Sequence, residues 1–202
     1  MPIPWPKRIR DTGQLTVFND AGVWADSVDA AMKTFNSLPF SVQLVAEEKE
    51  TSANIVVLLA NGPQTYTHEG TTAQTGAKFK FDELHGQTSL FQSSRRNEML
   101  FAVTFLPGKV PNPTHGQKEV IIVHEFIHAS GGMGNDEHDS IGIFVGYMQT
   151  ADGGMIEYLH DEGAQPMPPI RVGPRTLTKM QTVWPGVQRP MHHSARGTIR
   201  VA

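Results

Sequence analysis

A chain of 202 residues with 39% hydrophobic and 18% charged side chains is long enough for one well-buried core and is not a disordered polymer. Its formal charge of -3, from 17 basic and 20 acidic side chains, leaves no positive excess with which to hold phosphates, so nucleic acid is not the expected partner. There is no cysteine, which excludes disulfides, thiol nucleophiles and thiolate metal sites.

The chain opens with a Pro-rich lead-in over residues 1–13 that has no apolar core of the secretory type, so no signal segment is expected there. Leu15–Asn19 reads as a short strand. Asp26 is placed to cap a helix running to about Asn36, with Val28, Ala31, Met32 and Phe35 on one face. Ser41–Ala46 alternates as a strand does, and the apolar run Ile55–Ala60 reads as a strand at the centre of a sheet. The Thr- and Gly-rich stretch Asn61–Gly76 reads as a surface loop or lip, and Lys78–Phe81 as a short edge strand. Met99–Leu106 is the next strand, and Gln117–Ser130 a strong helix stopped by Gly131 and Gly132. Ile143–Thr150 and Gly154–Leu159 read as a β-hairpin, and Pro174 starts a last helix that runs through Leu177, Met180 and Val183 to Trp184. Apolar runs are too short to span a bilayer, and no internal repeat is present. One sheet backed by helices, an α+β arrangement, accounts for this order.

The chemistry is concentrated in His124-Glu125-Phe126-Ile127-His128. Inside a helix, the i, i+4 spacing puts both imidazoles on one face, where they can share a zinc ion, Zn2+. Glu125 then projects nearby without being a ligand and can act as a base toward zinc-activated water. A third ligand must come from beyond the helix, and Gly131, Gly132 and Gly134 let the chain bend back. His138, ten residues beyond His128, is the preferred third ligand because imidazole suits zinc at neutral pH. Asp139 and Asp136 are the reserves, and Asp139 could instead orient a ligand ring from behind. The other histidines, His68, His85, His115, His160, His192 and His193, read as ordinary residues of loops and tail.

The segment from His124 to Gly131 matches the first eight positions of the HExxHxxG signature, and the chain here resembles the metzincin metallopeptidases, in their matrixin-like branch. In that family the third ligand follows the glycine by three residues. Here Gly134 stands at that place, and a four-residue insertion brings His138 to it instead. The resemblance implies a methionine turn below the zinc, for which Met167, followed by Pro168 and Pro169, is the expected residue. The tyrosine that some members carry two residues later is replaced by Pro169.

The implied fold is zincin/metzincin-like: a mixed twisted sheet backed by helices, an active-site helix and an irregular C-terminal subdomain. The catalytic domain is expected over residues 14–186, divided at 131/132, with a basic tail over 187–202. A substrate peptide would add itself to the edge strand, for which Phe79–Phe81 and the segment around Leu90 compete. The implied activity is zinc-dependent endopeptidase action by a monomer, with Glu125 as general base, a protein or peptide as partner, and no membrane. The alternative is a catalytically silent zinc-bearing structural or assembly protein, for example of a virion. A cytoplasmic or virion-associated place is expected, with non-classical export as the other route.

Overall fold

The computed structural model describes residues 1–68, 70–134, 137–138, 170 and 172–186, together with the backbone of 147–149 and 155–157. The elements in chain order are α1 (Lys7–Thr12), β1 (Gln14–Asp20), α2 (Ala25–Ser37), β2 (Gln43–Ala46), β3 (Ile55–Ala60), β4 (Thr65–His68), β5 (Thr71–Gln74), β6 (Gln87–Gln92), β7 (Met99–Pro107), α3 (His115–Gly131), β8 (Tyr147–Gln149), β9 (Met155–Glu157) and α4 (Pro174–Val183). This is a mixed α+β fold, with a multi-stranded sheet packed against helices.

The main sheet has five strands in the order β2-β1-β3-β7-β6. The first four run parallel and β6 runs antiparallel to β7, so the last strand alone is reversed. The apolar run of β3 is the middle strand and is buried on both faces, as expected for a parallel sheet covered on two sides. Period-two alternation then divides the core. Ile55 and Val57 belong to one buried cluster with Phe35 of α2 and Ile122 and Phe126 of α3, while Val56 and Leu58 belong to the other with Phe101, Val103 and Phe105. Each such fully buried side chain contributes roughly 1.5–3 kcal/mol by leaving water.

Several elements differ from the expectations. Asn61–Gly76 is not an open lip: it contains the antiparallel hairpin β4–β5, whose Tyr66 and Ala73 join the second cluster. Thr65, Thr67, Thr72 and Gln74 alternate outward, so the polar composition conceals a half-buried pattern. Lys78–Phe81 forms no strand; Phe79 is buried there in edge-on contact with Phe81, and β6 takes the edge. Asp26 does not cap α2, because the N-cap is Trp24, two residues earlier, and Asp26 lies in the first turn. The Pro-rich lead-in contains α1 and buries Trp5 completely. The expected hairpin is present as β8 paired antiparallel with β9, from Tyr147 opposite Glu157 to Gln149 opposite Met155. No helix among the described residues is long and apolar enough to cross a membrane.

Candidate metal centre

The centre is built on α3. Thr114 starts the helix with a capping box: its hydroxyl accepts from the Gln117 backbone N–H at 3.2 Å, and the Gln117 side chain accepts from the Thr114 N–H at 2.9 Å. The helix therefore begins two residues earlier than its apolar pattern indicates, and the Thr-x-x-Gln pattern is the signal for that start. Val120, Ile122, Val123, Phe126 and Ile127 are buried and fix the helix on the sheet. At the other end Gly132 takes a left-handed conformation (φ 56°). A Cβ there would lie 2.1 Å from the Ile3 carbonyl oxygen, so glycine is required both by the turn and by the close pass of the N-terminal segment.

The last turn of a helix leaves carbonyls without helical partners. Two indoles fill two of those places: Trp5 Nε1 donates to the Ala129 carbonyl at 3.2 Å and Trp184 Nε1 to the Ser130 carbonyl at 2.9 Å. The chain then bends through Met133, and His138 returns to the helix.

His124, His128 and His138 come together as a cluster able to hold a metal ion, one ring nitrogen from each lying within 4.8 Å of the others. His128 and His138 are buried, and His124 opens on the cleft. The Nδ1 of His128 lies 2.7 Å from the Met133 carbonyl. A carbonyl only accepts, so Nδ1 carries the proton and Nε2 of the neutral ring keeps its lone pair. That Nε2 faces His124 Nε2 at 2.8 Å. Burial, and then the neighbouring His128 and His138, hold His124 far below the ordinary imidazole range, so it is neutral at physiological pH. Three imidazoles brought together in this way form a donor set that fits a divalent metal ion of the zinc class.

Glu125 lies beside this cluster without belonging to it. It is almost fully buried, with Oε1 4.0 Å from His124 Nε2 and Oε2 accepting from the Thr88 hydroxyl at 2.6 Å. Burial raises its carboxyl to about 7, outweighing the Thr88 hydrogen bond and the nearby His138, which both lower it. A cleft of about 460 Å³ opens over the group, bounded by α3 on one side and by Gly86, Thr88 and Leu90 on the other.

Of the residues the sequence points to, His124, Glu125, His128 and His138 are brought together, whereas Asp136, Asp139 and Met167 lie outside the described residues. The sequence reading missed Thr88 and Gly86, which belong to a stretch without a clear element pattern. His85, taken for a surface residue, lines the cleft, and its Nε2 accepts from the Lys80 backbone N–H at 3.0 Å. His115, also placed in a loop, begins α3 and meets Ser27 at 3.0 Å. No protein-family profile, curated protein or solved structure matches the chain.

Proposed function

We propose that this protein is a zinc-dependent endopeptidase in which His124, His128 and His138 hold the ion and Glu125 is the general base. The observation that carries the reading is the buried carboxylate of Glu125, set 4.0 Å from a ring nitrogen of a three-imidazole cluster at the floor of an open cleft. A purely structural metal site has no use for a carboxylate kept out of the ligand set and poised near neutrality.

A zinc ion in this site supplies a Lewis acid that polarises a peptide carbonyl and acidifies water. Glu125, with its carboxyl pushed up to about 7, takes the proton from the attacking water and delivers it to the leaving amine. The Met133 carbonyl keeps the His128 ring in the tautomer that presents a lone pair. The reversed strand β6 forms the rim of the cleft, where an extended peptide can lie along it. A mixed sheet backed by helices, with one helix bearing HExxH, is what the metzincin resemblance implies, and the five-stranded sheet with α3 packed on it supports the reading. On this reading the partner is a protein or peptide rather than nucleic acid or membrane, and the chain acts as a monomer.

The test is cleavage of a broad peptide library by the wild type and by Glu125→Gln, with zinc content measured on both. We expect cleavage by the wild type, and a variant with full zinc content and activity reduced by at least about 100-fold, the loss typical of removing a general base. Full zinc content in both proteins with no cleavage by either would leave a silent metal-bearing protein instead.

A further inference from the structure

β6 and β7 meet through one polar pair in an otherwise apolar face. Thr88 is directly opposite Thr104 in the register. Along β7, Ala102 and Leu106 lie in the helix-side core and Thr104 falls between them by alternation, fully buried. A hydroxyl in such a place is costly unless it is hydrogen-bonded, and valine would fill the same space. The Thr104 hydroxyl lies 2.9 Å from the Thr88 hydroxyl, which lies 2.6 Å from Glu125 Oε2.

The direction of this chain follows from the inventory of protons. In the ionised form that acts as a base, Glu125 only accepts, so the single Thr88 proton goes to it and the Thr88 oxygen then accepts from Thr104. Two residues before Thr88, just ahead of the strand, stands Gly86. A Cβ there would lie 2.4 Å from Glu125 Cγ and 2.8 Å from Oε1. The carboxylate therefore lies against bare backbone, held on one oxygen, with the other turned toward His124.

We propose that Thr88, backed by Thr104, is a positioning residue for Glu125: its hydroxyl retains Oε2 at the sheet so that Oε1 is presented to the histidine cluster. This rests on the peptidase reading for its consequence in turnover, but not for the geometry itself. A cross-strand threonine pair that served only to stabilise the sheet would contribute equally whatever stood at position 125.

The experiment compares Thr88→Val, Thr88→Ser, Thr104→Val and the Thr88→Val/Thr104→Val double variant, all loaded with zinc. Zinc content, kcat and KM are measured, and crystal structures show where Glu125 lies. Thr88→Val is expected to keep its zinc and its KM while kcat falls about 10- to 100-fold, the scale of a displacement near 1 Å of a reacting group. Thr88→Ser restores most of kcat. Thr104→Val lowers kcat less and adds nothing once Thr88 is valine, since it acts through that hydroxyl. In the crystals Glu125 leaves β6 in Thr88→Val and stays in Thr88→Ser. An unmoved carboxylate in Thr88→Val overturns the proposal whatever the activity, as does an undiminished kcat in an active enzyme. If the wild type cleaves nothing and the carboxylate still moves as described, the positioning role stands and the peptidase reading falls. Should Thr88→Val fail to fold, Thr104→Val, which leaves β6 intact, decides by the same measurements: an unchanged carboxylate and kcat overturn the proposal.

Discussion

Trp5 and Trp184 donate their indole N–H groups to consecutive carbonyls, those of Ala129 and Ser130, at the end of the helix that carries the HExxH motif. Segments from opposite ends of the described chain thus close the same helix terminus, a few residues before the return to His138. Replacing either indole by phenylalanine preserves much of the apolar contact but leaves a buried carbonyl unsatisfied. Each variant is expected to lose about 1–3 kcal/mol of stability. Urea unfolding checks this; a loss no larger than that of an exposed substitution such as Val23→Ala would show the bonds to be inconsequential.

Metal binding should be visible as stability. If zinc binds only the folded state, free zinc at 100 times its Kd raises the unfolding free energy by about 2.7 kcal/mol, and a chelator removes that gain. His124→Ala, His128→Ala and His138→Ala should each lose most of the gain. Titration calorimetry beside Asp136→Ala and Asp139→Ala identifies the third ligand. Wild-type affinity in His138→Ala together with a loss in Asp139→Ala would make the site a two-histidine, one-aspartate one.

The buried carboxylate predicts a pH effect in the zinc-free protein. The Glu125 carboxyl is raised from its ordinary 4.5 to about 7 in the folded state. The native state then binds more protons than the unfolded state across that interval, so its contribution to stability falls as pH rises from about 4.5 through 7. Glu125→Gln has no charge to bury. Relative to the wild type it should gain with rising pH, by on the order of 3 kcal/mol at pH 8. Parallel stability profiles for the two proteins would rule out the buried charge.

Gly86→Ala tests the close pass of the segment that enters β6 over the base. The added methyl would occupy the Glu125 side chain, so Glu125 must shift while the three histidines need not. Zinc content near that of the wild type with hydrolysis reduced by about 100-fold is the expected pair of results, from the same displacement argument. Unchanged hydrolysis would mean that the backbone at Gly86 yields instead of the carboxylate.

Much of this was legible in the sequence because its signals are local. The i, i+4 histidines, the glycines after Ser130 and the continuous apolar run Ile55–Ala60 each state their structure within a few residues. What was hidden is relational. Nothing near Thr88 reveals that it will stand opposite Thr104 and under Glu125, because that meeting is set by the register of two strands and their packing on α3. The β4–β5 hairpin was obscured for another reason: threonine and glutamine on its outward positions made a half-buried element read as a loop. Trp5 was hidden by prolines, whose usual meaning is an exposed lead-in.

The register of β7 has a consequence for how errors of assembly are tolerated. Phe101, Val103 and Phe105 point to one side of the sheet, while Ala102, Thr104 and Leu106 belong to the other. A slip of one residue would exchange these sets, exposing hydrophobic rings to the wrong layer and removing the hydroxyl behind Thr88 in the same movement. Correct packing and a correctly seated carboxylate are therefore one event.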